Sequence, residues 1–166
     1  MTKCAVEPLS GLEHVSAPSC QINMTVIHGH WDWVLAASDR ALALTALGDL
    51  FVLRANGAVA LLDVASGTAL EVAATEQDFR VALHEPKDIE QYFVPQLVAA
   101  LCNRDGLLQP GTCFSCIVPF TIGGVMSEDN YTVLGVESHL VALGKMQRQI
   151  LKLPLGTVVS SVTLER

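Results

Sequence analysis

The residues best suited to chemistry in this chain are Cys113-x-x-Cys116 and the histidines His28, His30, His84 and His139. Paired thiolates are zinc ligands, but a structural zinc site needs four ligands of this type, and the chain has no second Cys-x-x-Cys. His28-x-His30 completes a Cys2His2 set only from an extended segment, where side chains two residues apart point the same way. Redox use of Cys113 needs a helix N-terminus to lower its pKa, whereas Phe114, Ile117 and Val118 predict a strand around it. Free cysteine is among the most buried residue types, so Cys113 and Cys116 are read as core thiols, with no metal and no cofactor. A cysteine nucleophile activated by one of the four histidines stands as an enzymatic alternative, since such partners meet in space rather than in sequence. The chain carries no Walker pattern, no Gly-x-Gly-x-x-Gly, no His-Glu-x-x-His and no Gly-x-Ser-x-Gly, and no catalytic residue is assigned.

Other residues could make contacts rather than do chemistry. Lys145, Arg148 and Lys152 fall at i, i+3 and i+7 and form one basic stripe on a helix, read as a solvated face that complements the helix C-terminal dipole. Trp31 and Trp33 suit either an interface or the core, because Trp is the largest apolar plug and also dominates interface energetics. Gly123-Gly124 and Glu128-Asp129 beside Asn130 have the composition of turns.

The chain has 166 residues, 51% of them hydrophobic and 16% charged, the reverse of the balance that disorder requires. Its longest uncharged stretch, residues 106–127, is broken by Pro110, Gly111, Pro119, Gly123 and Gly124, so it predicts no membrane span. Net charge is −7, with −3 in residues 76–110 and zero in 111–166. That sign repels nucleic acid and acidic membranes and steers a basic partner towards the surface. Five cysteines without regular spacing argue against a disulfide framework and for a reducing compartment. No apolar leader follows Met1-Thr2-Lys3, so a cytoplasmic location is expected.

These residues need a scaffold, and turn signals outline one. Pro8, Gly11, Pro18 and Gly29 punctuate residues 1–29, which predict an irregular lead-in with Val26-Ile27 as a possible edge strand; a domain over 30–166 follows. Ser38-Asp39 marks a turn or cap before the apolar run Ala41–Leu47, which fits helix or strand equally. Leu50–Leu53, Val59–Leu62 and Leu70–Val72 are separated by Asn56-Gly57 and Ser66-Gly67, predicting a meander at about 48–73 with a type I′ turn at Asn56-Gly57. The first two strands are apolar on both faces, as in the middle of a covered sheet. Thr75 with Asp78 predicts a helix cap, the helix running to Pro86. Asp88 with Gln91 predicts a further turn, and Pro95 opens a helix ending near Gly106. Cys113–Val118 and Tyr131–Leu134 predict strands. Ser138 caps a helix reaching Leu151, with Leu140, Leu143, Gly144 and Ile150 inward, before a last strand over Val158–Leu164. The fold class is a single α+β domain with a mainly antiparallel sheet covered by two or three helices.

The order Trp31-x-Trp33, Gly48-Asp49-Leu50-Phe51, Asn56-Gly57, Leu62-Asp63, Gly67, Pro110-Gly111-x-Cys113-Phe114, Pro119, Ile122-Gly123-Gly124, Asn130, Gly144-x-x-x-x-Gln149 and Pro154-x-Gly156 resembles the C-terminal domain of bacterial type VI secretion immunity proteins of the GAD-like group, formerly a domain of unknown function. The resemblance spans about residues 31–166. It implies a non-enzymatic immunity protein that neutralises a secreted nuclease toxin by direct contact. Nucleases present basic grooves to phosphate, which an acidic inhibitor can occupy. Asp78, Glu85, Asp88 and Glu90, in the acidic 76–110 segment, are therefore the expected partner contacts. A small-molecule or regulatory binding module is the alternative from another class, since an apolar α+β pocket needs no recognisable motif.

Overall fold

Glycines placed where the chain must reverse turn residues 40–73 into a four-stranded antiparallel meander. The computed structural model describes residues 3–161. In it β3 (Arg40–Leu44), β4 (Leu50–Leu53), β5 (Val59–Asp63) and β6 (Thr68–Ala73) pair in sequence order; they follow β1 (Cys4–Val6), β2 (Cys20–Ile22) and α1 (Met24–Trp31). The ambiguous run after Asp39 is thus the strand β3, and the sheet has one strand more than the expected meander. Gly57 turns the β4–β5 connection at φ +88°, but Asn56 keeps a negative φ, so the turn is not type I′. A single left-handed residue is enough here because Gly57 N–H donates to Arg54 C=O across a longer reversal.

Both faces of the inner strands are covered, as their unbroken apolar runs require. On one face Leu44, Leu50, Val52, Ala60 and Leu62 pack with Trp31, Phe114 and Leu140. On the other, Ala43, Phe51 and Val59 pack with Leu9, Leu12, Phe79 and Phe93. Phe51 centres that second cluster, with ring centroids 4.7 Å from Phe79 and 5.6 Å from Phe93.

The second face is roofed by α2 (Glu76–Ala82) and α3 (Pro86–Phe93), whereas α4 (Pro95–Asp105) turns Val98 and Leu101 into the core of the first face. Thr75 caps α2 as expected, its Oγ1 accepting from the Asp78 N–H at 3.1 Å. Pro86 does not merely end a helix but opens the next one. Its fixed φ suits the first helical position, and α3 absorbs the turn expected at Asp88 and Gln91. The first face is closed by α5 (Val136–Ile150) and by the hairpin of β7 (Thr112–Cys116) with β8 (Tyr131–Gly135). The helix starts two residues before Ser138, with Gly135 at the cap position, and Ile150 is half-buried.

The expected irregular lead-in over 1–29 does not hold for the described residues. Val6, Leu9, Leu12, Val15, Ile22 and Ile27 are buried, and β1 pairs with β2 antiparallel. Val26-Ile27 lies in helix because Asn23 accepts from the N–H groups of Thr25 and Val26, a cap signal masked by the surrounding Pro and Gly. The terminal strand expected over Val158–Leu164 is not formed at Val158–Ser161, and the remaining residues lie outside the described ones. The chain is an α+β protein with mainly antiparallel sheets and five α-helices among the described residues. No helix among them is long and apolar enough to cross a membrane.

Candidate functional site

The β4–β5 register brings two acids together. Leu50 pairs with Leu62, so Asp49, the residue just before β4, and Asp63, the last of β5, stand opposite each other at the sheet end. Each spends one oxygen on the backbone: Asp49 Oδ1 accepts from Val64 N–H at 3.0 Å and Asp63 Oδ1 from Ser66 N–H at 2.9 Å. Among the described residues neither has a salt bridge to a cation. Both line a cavity of about 80 Å³ together with Tyr92 and Val94 of the α3 end, Phe120 and Met126 of the loop after β7, and Cys116 and Tyr131 of the β7–β8 hairpin. Burial and then the neighbouring Asp63 push the Asp49 carboxyl up to about 8, against the lowering effect of the Val64 N–H. Burial, followed by the charge of Asp49, also raises the Tyr131 phenol.

The loop that borders this cavity is folded back on itself by a polar staple that leaves its apolar residues facing solvent. Asn130 is buried, and its amide accepts from Val118 N–H at 2.9 Å while donating to the carbonyls of Val118 and Val125 at 2.9 and 3.0 Å. Gly124 permits the fold-back, because a Cβ there would meet the Val118 carbonyl oxygen at 1.8 Å. Stapled in this way, Ile117, Val118, Val125 and Met126 are 52%, 39%, 62% and 53% exposed. The strand expected to continue through Val118 stops at Cys116, and its last apolar residues belong to the surface.

The four acids expected at the interface are all on the α2–α3 side of the molecule, but they do not share one face. Asp78 is exposed and accepts from Thr75 Oγ1 at 2.7 Å, so it also serves the α2 cap. Glu85 is the extended residue before α3, and within the helix Glu90 is turned about 200° from Asp88 by the helical pitch. Asp88 lies one turn before Tyr92, on the cavity side, and its charge helps raise the Tyr92 phenol after burial has done most of the work. Arg80 is drawn to Glu76 at 2.6 Å.

The sequence motifs with catalytic potential fall elsewhere. Cys113 and Cys116 are 0% and 5% exposed; burial pushes the Cys116 thiol up to about 12 and the Cys113 thiol higher still. Among the described residues no thiol is hydrogen-bonded to a histidine, and no three His, Cys, Asp or Glu side chains gather to hold a metal. His28 and His30 lie on α1 rather than in an extended segment. The basic stripe is partly spent within the molecule: Arg148 reaches Asp32 at 2.7 Å and covers the Trp33 ring.

His139 has an unforeseen role. Its Nε2–H donates to Gly48 C=O at 3.1 Å, which leaves Nδ1 to accept from the Ser115 hydroxyl at 2.8 Å. Both side chains are essentially inaccessible, at 0% and 2% exposure, so the pair ties α5 and β7 to the β3–β4 turn. Burial lowers His139 to about 4 from its usual 6.5, the bond to Gly48 opposing. The unfolded chain therefore takes up this proton first. The stabilisation is complete above pH 6.5 and is lost as pH falls towards 4, amounting to about 2–3 kcal/mol between pH 7 and 4.5. Urea unfolding of His139→Gln should give a lower midpoint at pH 7 and a flatter decline to pH 4.5. An identical decline in both proteins would remove His139 as the source.

Sequence reasoning passed over Asp49, Asp63 and Tyr131 as a group. The signal was available for the acids, because a reversal centred on Asn56 pairs residues whose numbers are symmetric about it. Nothing in the order of residues announced Tyr131 as their neighbour. Compared with known proteins, the chain matches no family model, and no curated protein is significantly similar to it.

Proposed function

We propose that this chain is a non-enzymatic protein-binding domain, an immunity protein that neutralises a secreted nuclease toxin in the cytoplasm by direct contact. The observation that carries the reading is the meeting of two surfaces around one cavity. The acidic helix α3 supplies Tyr92 and Val94 to its wall, and the apolar loop with exposed Val125 and Met126 supplies Phe120 and Met126. An apolar centre bordered by charge is the usual anatomy of a protein interface. A net charge of −7 favours a basic partner. The resemblance to the immunity-protein domain supplies the partner class, and the basic groove of a nuclease fits the charge.

The test is co-expression with each nuclease-like toxin encoded beside the gene, followed by stopped-flow association with the one whose lethality is relieved. Replacing Asp78, Glu85, Asp88 and Glu90 together with lysine should slow association by about ten- to a hundredfold at low salt and flatten its salt dependence. Circular dichroism would confirm that the variant is folded. An unchanged association rate discards the electrostatic mechanism. If no candidate toxin is relieved, the immunity reading fails and the ligand-binding module takes its place.

A further inference from the structure

The acid pair is more than turn chemistry can use. One oxygen of Asp49 and one of Asp63 cap backbone N–H groups, which leaves the second oxygen of each without a donor among the described residues, and both acids line the same cavity. A second, independent feature faces them. Tyr131 is 4% exposed and lines that cavity, yet its hydroxyl has no hydrogen-bond partner among the described residues, although its backbone carbonyl accepts from Arg104. A side chain this buried, whose hydroxyl reaches the cavity without a protein partner, offers that hydroxyl to whatever enters the space beside Asp49 and Asp63.

Size and wall chemistry narrow what that is. About 80 Å³ exceeds the 10–15 Å³ or so that one water needs but falls far short of the roughly 300 Å³ at which pockets for whole metabolites begin. Besides the amide of Gln91, the walls include Leu61, Tyr92, Phe120 and Met126, whose apolar and aromatic surface suits the alkyl stem of a cationic side chain. A hard divalent ion needs about six oxygens, and the cavity offers two carboxyls already half-committed to backbone. We infer that the Asp49–Asp63–Tyr131 cavity is a socket for one cationic side chain, the ammonium of a lysine or the guanidinium of an arginine, presented by the basic protein partner. The carboxyls accept its N–H groups, and the Tyr131 hydroxyl accepts a further one. The identity of the occupant's source rests on the protein-binding reading above.

The test uses the full chain and no toxin. NMR titration of the isotope-labelled protein with n-butylammonium and n-butylguanidinium, with n-butanol as the neutral control, should give saturable shifts at Asp49, Asp63 and Tyr131 for the cations only, with Kd on the order of millimolar for so small a probe. Asp49→Asn and Asp63→Asn keep the backbone-capping oxygen, and Tyr131→Phe keeps the ring. Each acid variant should weaken the probe about tenfold, and Tyr131→Phe less. Shifts that never saturate, or that n-butanol reproduces, overturn the socket. So does saturation by magnesium or calcium but not by the organic cations. Because the probe is free in solution, a failed titration leaves the toxin-relief result standing. Saturable binding with no toxin relieved removes only the immunity reading.

Discussion

Replacing Trp31 with alanine is expected to lower the melting temperature by about 8–16 °C, the consequence of losing about 4 kcal/mol at roughly 2–4 °C per kcal/mol for a chain of this size. Trp31 ends α1, is 0% exposed, and its indole N–H donates to Leu140 C=O on α5 at 2.8 Å. The two helices approach this closely because residue 144 is glycine: a Cβ there would stand 2.8 Å from the indole nitrogen and 2.9 Å from the His30 carbonyl. Removing the ring therefore empties the tightest contact between α1 and α5, and the rigid surroundings collapse only in part. Trp31→Phe keeps much of the apolar area and loses the hydrogen bond, so it should cost about half as much. Scanning calorimetry of both variants checks the ordering. A shift under about 3 °C for Trp31→Ala would mean that the α1–α5 contact is not what holds the N-terminal segment in place.

Gly48→Ala is expected to be of similar severity for a different reason. Residue 48 has φ +86°, a region that costs a side-chain-bearing residue about 1–2 kcal/mol. The added Cβ would also meet His139 Nε2 at 2.1 Å, forcing the ring out of its bonds with Gly48 C=O and Ser115. Two buried polar groups then lose their partners, adding about 1–3 kcal/mol each. Gly57→Ala isolates the backbone contribution, since Gly57 has φ +88° and nothing within 4 Å of its Cβ position. The expected result by urea unfolding is a loss of about 4 kcal/mol for Gly48→Ala against about 1 kcal/mol for Gly57→Ala. Equal losses would show that His139 yields without cost. The same turn carries Asp49, whose N–H donates to Thr45 Oγ1 at 3.1 Å, so Gly48→Ala should also weaken cation binding in the socket.

The readings that survived from the linear chain were those set by local chemistry. Gly57 and Gly67 mark the hairpins of the meander because each takes a positive φ, at +88° and +70°. Thr75 and Pro95 mark helix starts because a hydroxyl satisfies a free N–H and a proline has none to satisfy. The double-faced apolar runs of β4 and β5 placed them inside the sheet, where they lie. The burial of Cys113 and Cys116 followed from their apolar neighbours.

Tertiary structure decided what no short window contains. Residues 4–31 looked irregular because their strands are three residues long and their helix eight, below the length at which periodicity is visible; their order comes from burial against partners far along the chain. Strand β7 ends at Cys116 although Ile117 and Val118 are apolar, because Asn130 and Gly124 fold the following loop outward. The candidate site is of this second kind. Its acids belong to the β3–β4 turn and to β5, its phenol to β8, and its rim to α3 and the 117–126 loop. The sequence by itself determined that the surface is acidic and the interior apolar. Only the packing of the hairpin against α3 and β8 decided where two carboxyls would be left facing an unpartnered hydroxyl, because desolvation and proximity are properties of neighbours in space.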